Sequence, residues 1–167
     1  MVKIGLISDT HGVFDQPLIN FLKDVDEIWH AGDFGNIKVS DAISSFKPLK
    51  AVYGNCDGAE VRIVHPFSQI MEIEGLRFLM THVGGYPKHY SPEALDLFEK
   101  YQPNVFICGH SHILKVMNDK QHGFILINPG AAGIYGIHTV RTALKFIIEN
   151  GSLHDLEVGE WPKHNIN

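Results

Sequence analysis

Val105 to His112 reads VFICGHSH: an apolar strand, a glycine, then two imidazoles one residue apart. Imidazole ligates metals, moves protons near neutral pH, or fills a polar niche in a fold. With 11 histidines in the chain, one such pair is more often structural. The same ending recurs, however. KIGLIS runs into Asp9 and His11 of SDTHG, EIWHA into Asp33 of HAGDFG, and LKAVY into Asn55 of VYGNCDG. A later strand ends in His82 of MTHVGG. Singly, an Asp or Asn beside glycine is a turn residue. Together, Asp9, His11, Asp33, Asn55, His82, His110 and His112 form a constellation that separate turns do not account for.

In α/β sheets, functional residues gather beyond the carboxyl ends of parallel strands. Seven donors crowd one divalent ion but suit two, provided one carboxylate bridges them. Two metals roughly 3.5–4 Å apart can stabilise the attacking and leaving oxygens together. Nitrogen and oxygen donors without thiolate point to Mn, Fe, Zn or Ni and disfavour a dedicated calcium site. Two aspartates leave two such ions with residual positive charge, which suits a phosphate ester.

The elements that must position these residues follow from periodicity. KIGLIS, EIWHA and LKAVY have the length and composition of strands. Between them, Leu18, Phe21, Leu22 and Val25 fall at helical spacing, with Asp15 as N-cap and Pro17 in the first turn. Val39, Ala42, Ile43 and Phe46 repeat that spacing, and Pro48 ends the helix. This βαβαβ opening predicts parallel strands with helices packed on them. FSQIMEIEGLRFLMTH alternates on both sides of Glu74-Gly75 and predicts a hairpin. A third helix is expected from Ser91-Pro92 to just before Pro103. Then come VFIC, ILKVM paired with GFILIN across Asn118 to Gln121, and ALKFIIE paired with LHDLEV across Asn150-Gly151. The expected fold is α/β: two packed mixed β-sheets flanked by helices, in one domain spanning 1–167.

Composition narrows the partners. At 167 residues, with 44% hydrophobic and 20% charged, the chain can bury an ordinary core. A formal net charge of −5 and the lack of a basic tract argue against nucleic-acid binding, nucleases included. A small anionic substrate stays compatible, because bound metal supplies positive charge locally. Two cysteines, Cys56 and Cys108, make no disulfide framework, and Cys108 reads as a small core hydrophobe. No apolar run reaches the length of a membrane span, so no membrane association is expected. MVKIGLISD reads as a first strand rather than a signal peptide, which makes the cytoplasm the expected location. Oligomeric state stays open, a homo-oligomer included.

The motifs DTHG, GD, GNCD, TH, GHSH and, at Asn128 to Gly130, NPG follow one another over nearly the whole chain. In that order they resemble the calcineurin-like metallophosphoesterases, most closely the small single-domain phosphodiesterases among them. The resemblance implies a two-sheet sandwich with outer helices. It implies a binuclear metal-dependent phosphoesterase that hydrolyses phosphodiesters by attack of a metal-bound hydroxide, with activated monoesters as a further class. Asp9, His11 and His112 would hold one ion and Asn55, His82 and His110 the other, with Asp33 bridging. Asp33, Asn55 and His82 would also serve catalysis. The expected cofactors are two divalent transition-metal ions, Mn2+ first, with Ni2+, Fe2+ or Zn2+ as alternatives. The expected partner is a small phosphate-ester substrate.

Two positions depart from the family pattern. Cys56 stands where many members carry His, proposed there to protonate the leaving group, though some small phosphodiesterases also have Cys. Ala131 stands where Ser often follows NPG. Other residues have a functional and a plain reading. Gly84 and Gly85 would make a flexible loop, with Tyr86, His89 and Tyr90 shaping a pocket or merely filling the loop. Arg62 and Arg141 would contact phosphate or lie solvated. Cys56 is also compatible with simple packing, and His30 reads as structural. The competing function is a non-catalytic protein-binding scaffold of the same fold, as in the retromer subunit. The complete donor set favours the enzyme.

Overall fold

The computed structural model describes residues 1–163, so the last four residues of the expected 1–167 domain lie outside the described residues. β-Branched and aliphatic runs form β1 (Val2–Ile7), β2 (Glu27–His30) and β3 (Leu49–Ala51), separated by α1 (Gln16–Leu22) and α2 (Ile37–Phe46). Next come α3 (Ala59–Val64), β4 (Ser68–Ile73), β5 (Leu76–Thr81), α4 (Pro92–Tyr101) and β6 (Val105–Ile107). The chain closes with β7 (Leu114–Asp119), β8 (Phe124–Pro129), β9 (Val140–Glu149) and β10 (Ser152–Pro162).

These strands build two mixed five-stranded sheets, ordered β10-β9-β1-β2-β3 and β4-β5-β6-β8-β7. In the first, β1, β2 and β3 are parallel and β9 runs antiparallel to β1. In the second, β5, β6 and β8 are parallel, and β4 and β7 are antiparallel edges. Ile4, Leu6, Trp29, Phe78, Met80, Ile107, Ile127, Leu144 and Phe146 are buried between the sheets. Trp29 crosses that layer with its ring edge-on to Phe78 and Phe146. Leu18, Leu22, Val39, Ile43 and Val61 seat the first three helices on the outer face of the first sheet. Ala94 and Phe98 seat α4 on Phe106, Phe124 and Leu126 of the second. Each sheet thus presents three parallel strands, and the candidate residues follow their carboxyl ends.

Most expected elements are present, with instructive differences. Glu74-Gly75 turns with φ of 51° and 82°, and Asn150-Gly151 with 49° and 72°, the left-handed pairs that join strands tightly. Ser91 caps α4 by accepting a hydrogen bond from the Ala94 amide. The last hairpin joins the first sheet through β9 and β1, a long-range pairing that periodicity does not encode. The short helix α3 has Gly58 at its N-cap without a side-chain cap bond, so it carried no start signal. The β7–β8 connection falls after Asp119, two residues beyond the expected end of ILKVM. Asp15 occupies the N-cap position of α1 but makes no cap bond. Its two carboxylate oxygens instead accept from the Arg141 guanidinium, each at 2.9 Å, because that buried cation needs a partner.

A second ion network ties the first sheet to the end of α1. Asp24 receives Lys3 of β1 and Lys145 of β9, the latter at 3.1 Å, while Lys145 also meets Glu157 of β10 at 2.9 Å. The hydrogen bond from Lys3 is the foremost reason that the Asp24 carboxyl is depressed to about 2. A carboxyl depressed on folding stabilises the native state above its unfolded value and loses that contribution as pH falls through the folded one. Asp24→Asn is therefore expected to cost about 1 kcal/mol or less at pH 7, given the exposure of the pair. That deficit should vanish as pH falls from about 4 to 2, as read by chemical denaturation of both proteins.

Candidate metal centre

The loops after β1 and β2 are joined backbone to backbone. Asp9 N–H donates to the Gly32 carbonyl (2.9 Å), His11 to Asp33 (3.1 Å) and Gly12 to Phe34 (2.7 Å). In the second sheet the loops after β5 and β6 are joined likewise by Gly109 N–H donating to the His82 carbonyl (2.9 Å), and Gly133 N–H, between β8 and β9, donates to the Asp9 carbonyl (3.1 Å). Asp9, His11, Asp33, His110 and His112 all take the left-handed conformation, with φ of 53°, 43°, 60°, 69° and 60°. Such residues are uncommon and cost free energy, and they concentrate at functional sites.

All seven residues named from the sequence converge. The donor atoms of Asp9, His11 and His112 lie within 4.8 Å of one another, as do those of Asp33, His82 and His110. Asn55 Oδ1 faces the second group, 2.9 Å from His82 Nε2 and 3.0 Å from His110 Nδ1. Asp33 Oδ2 lies between the groups, 3.1 Å from His82 Nε2 and 3.7 Å from His11 Nε2.

Each buried aspartate gives one oxygen to the fold and turns the other inward. Asp9 Oδ2 accepts from Ser8 Oγ (2.6 Å) and the His110 amide (3.1 Å). Its Oδ1 lies 3.1 Å from His112 Nε2 and 3.8 Å from His11 Nε2. Asp9 Oδ1 and His11 Nε2 are buried with no hydrogen-bond partner. Asp33 Oδ1 accepts from the Cys56 amide at 2.8 Å. Only glycine permits that approach, since a Cβ on Gly54 would stand 2.0 Å from Asp33 Oδ1. Burial alone would raise the Asp33 pKa, but the His82 hydrogen bond, the Cys56 amide and nearby imidazoles hold it at about 2.

Histidine protonation follows from the partners. His82 Nδ1 faces the Ala31 carbonyl at 2.8 Å, so it carries a proton and turns Nε2 toward Asn55 and Asp33. A bare lone pair facing two oxygens is repulsive, so a cation or a second proton belongs there. Burial opposes that proton, yet the hydrogen bond to Asp33 and the aspartate charges raise the His82 pKa. Burial wins at His11 and lowers it. Orphaned donors, two compact groups and a shared carboxylate oxygen fit a pair of divalent cations.

Several supports escaped the sequence reading. Buried Asp57 accepts from the amides of Gly54 (2.8 Å), Asp33 (2.9 Å) and Gly35 (3.2 Å), binding the Asp33 and Asn55 loops together. A second carboxylate in the loop that supplies Asn55 was the available signal. Asn128 of NPG donates to the Gly109 carbonyl (2.9 Å) and Ser111 Oγ (3.1 Å), holding GHSH in place. Arg62 is exposed, and it also donates to the Asp57 and Asn55 carbonyls at 2.7 and 3.2 Å, so it shapes this loop from the solvent side. Arg141 is buried on Asp15, which overturns both of its expected readings. Cys56 is exposed, whereas Cys108 is buried in the core as expected. Ala131 is fully buried, and its carbonyl accepts from the Thr142 amide.

The second group of donors opens onto a cleft of about 360 Å³ that includes His110, Gly84, Gly85, Tyr86, His89 and Tyr90. Tyr90 anchors its wall, donating to the buried Asp119 at 2.7 Å and packing on Phe98 and Phe106.

His30 is structural, as expected. Gly32 N–H donates to its Nδ1 (3.1 Å), so its Nε2–H donates to Thr10 Oγ1 (2.9 Å), and its ring stacks on Phe34 at 3.7 Å. Complete burial holds its pKa well below the usual histidine value. Because the unfolded chain binds a proton that folded His30 refuses, this residue removes stability as pH falls below about 6.5. Nitrogen NMR should find His30 as the neutral Nε2–H tautomer from pH 8 down to acid unfolding. A titration midpoint inside the folded range would contradict it.

A two-sheet α/β sandwich carrying paired Asp/His groups at its strand ends defines a metallophosphoesterase-type protein. Residues 2–151 match the calcineurin-like phosphoesterase superfamily domain, and the chain belongs to that superfamily. A probable metallophosphoesterase of Methanothermobacter thermautotrophicus is 30% identical over 135 residues, covering 77% of this chain and 76% of that protein. Vps29 of Entamoeba histolytica, solved in complex with Zn2+, superposes with a TM-score of 0.73 at 15% identity, covering 97% of this chain and 99% of that one. An archaeal phosphodiesterase superposes with a TM-score of 0.72 at 24% identity, covering 93% and 99%. Among the described residues, no helix is long and apolar enough to cross a membrane.

Proposed function

We propose that the chain is a phosphodiester hydrolase that works with two divalent metal ions. Asp9, His11 and His112 would hold one ion, Asn55, His82 and His110 the other, and Asp33 would serve both. The observation that carries this reading is the inward oxygen of Asp33, aimed at an imidazole of each group while its other oxygen is fixed by the Cys56 amide. The Zn2+ complex of the Entamoeba protein and the archaeal phosphodiesterase support it by analogy of fold. The family resemblance puts Mn2+ first, with Ni2+, Fe2+ and Zn2+ as alternatives that imidazole donors suit.

Bound there, two divalent ions supply Lewis-acid charge for phosphate oxygens and lower the pKa of water. The protein's own residues do the rest. The Ala31 carbonyl fixes the His82 tautomer, and Ser8, the Cys56 amide and Asp57 set the carboxylates and the loops that carry them. Supports of this kind are worth roughly 10–100-fold in metal affinity. Asp57→Asn is thus expected to weaken metal binding by about that factor while the fold persists. Asp33→Asn should weaken both sites and abolish turnover, and Asn55→Ala should weaken chiefly one. Calorimetric metal titration and diester hydrolysis across several divalent ions check all three. Near-normal turnover of Asp33→Asn at saturating metal would sink the shared-oxygen assignment.

Cys56 sets the expectation for the departing group. Its thiol is exposed, and an ordinary thiol, with a pKa of about 8.5, is a weaker acid than an imidazolium, so it is poorly suited to protonate an alkoxide at neutral pH. The rate should fall steeply as leaving-group pKa rises. Cys56→His should flatten that slope, since a positioned acid contributes about 10²–10⁴-fold for poor leaving groups. Rates over a series of aryl and alkyl diesters provide the measurement.

The scaffold reading has one observation in its favour: Ile137 is 100% exposed and Tyr135 66% exposed, and Tyr135 packs on His11. Absence of hydrolysis in every metal and diester combination, beside a stable protein complex, would put it first.

A further inference from the structure

Beside the second group of donors, the wall of the cleft is a closed loop rather than a flexible one. Ser91 N–H donates to the Gly84 carbonyl at 2.9 Å, and His89 N–H to the Tyr86 carbonyl at 2.8 Å. Gly85 has φ of 102°, and a Cβ there would lie 2.2 Å from the His89 carbonyl oxygen, so close packing is what selects the glycine. Asp119 fixes the loop from behind. It accepts from Tyr90 Oη at 2.7 Å and His122 Nδ1 at 2.9 Å. The surface facing the cleft is therefore pre-formed, which removes ordering cost from binding.

The chemistry of that surface is specific. His110 belongs both to the cleft lining and to the second donor group, so the two spaces are continuous. Tyr86 is 46% exposed and Ile113 61% exposed, giving an aromatic face and an aliphatic edge. The lining contains no Asp or Glu, although the chain carries a formal net charge of −5. Its one lysine, Lys115, holds its ammonium 4.5 Å from the centre of the Tyr86 ring. Tyr86 also meets His89, with ring centroids 4.7 Å apart. A half-exposed aromatic ring, a cation beside it and no carboxylate suit a flat ring attached to an anion.

We propose that this cleft is a subsite for an aromatic ester group of the substrate, either a plain aryl ring or a nucleobase, packed against Tyr86 with its phosphoryl group at His110. The assignment rests on the phosphodiesterase reading for its phosphate, but it concerns binding and can be tested without turnover. Aromatic pairs, offset-stacked or edge-to-face, are worth about 0.5–1.5 kcal/mol beyond their area burial, or roughly 2- to 13-fold in affinity.

The probes are methylphosphonate, phenylphosphonate and adenosine 5′-monophosphate, titrated into Mn2+-loaded protein by calorimetry, with amide shifts followed in the Zn2+-loaded form. Phenylphosphonate should bind about fivefold or more tighter than methylphosphonate and shift Tyr86, His89 and Ile113. Tyr86→Ala should bring that ratio to about one, and Tyr86→Phe should restore it. Because Tyr86 is half exposed, unchanged thermal unfolding of both variants confirms that the fold is kept. The nucleotide arm separates the two sources: binding tighter than phenylphosphonate assigns a nucleobase, and weaker binding assigns a plain aryl group. Equal binding of the methyl and phenyl probes, a ratio that survives Tyr86→Ala, or no binding of any probe overturns the subsite. Discrimination lost in Tyr86→Ala, with no diester hydrolysed, keeps the subsite and removes the hydrolase reading. Hydrolysis without discrimination does the reverse.

Discussion

Two carboxylates buried against four imidazoles set the terms for everything around them. Asp9 and Asp33 are almost fully excluded from solvent, and an isolated buried carboxylate is strongly disfavoured. The fold answers by dividing each group in two. One oxygen is held by amides or a hydroxyl, and the other faces imidazole nitrogens. The tethered oxygen fixes direction, so the inward oxygen is aimed before any cation arrives. That arrangement favours cation binding because little has to be reorganised.

Such an arrangement needs two sheets. No single sheet brings enough strand ends to one place, because neighbouring strands lie about 4.8 Å apart. Here three parallel strands from each sheet end at a common rim, and the core around Trp29 holds the two sets at a fixed separation. β9 and β8 fill out the arrangement from opposite sheets. β9 pairs with β1 and so braces the strand that delivers Asp9 and His11. β8 pairs with β6 and delivers Asn128 beneath His110 and His112. The distance between the donor groups is therefore a property of the packed core.

Much of this was legible in the sequence, for a physical reason. The seven residues are polar atoms at the ends of apolar runs, so pattern and chemistry marked the same positions. The hairpin turns at Glu74-Gly75 and Asn150-Gly151 were legible because left-handed backbone restricts residue choice. What stayed hidden depends on contacts distant in the chain. Asp57 was not singled out, because its role is to receive amides from Asp33 and Gly35, more than twenty residues away. Arg141 reaches Asp15 across 126 positions, and nothing near either residue announces the pair. The helix α3 was hidden differently, since it is short and starts on a glycine without a capping side chain.

The left-handed backbone at five of the seven candidate donors has a consequence for which elements they would accept. Outside glycine, that conformation is tolerated best by Asn, Asp and His, whose short polar side chains relieve it locally. Those same residues offer only oxygen and imidazole nitrogen. Backbone shape thus filters the ligand alphabet before coordination chemistry acts, and it disfavours longer carboxylates at Asp9 and Asp33. A change intended to recruit a softer ion by placing sulfur at one of these positions would meet resistance from the chain itself. A preference of these groups for cations that favour oxygen and nitrogen would thus be supported in part by the dihedral angles of the chain.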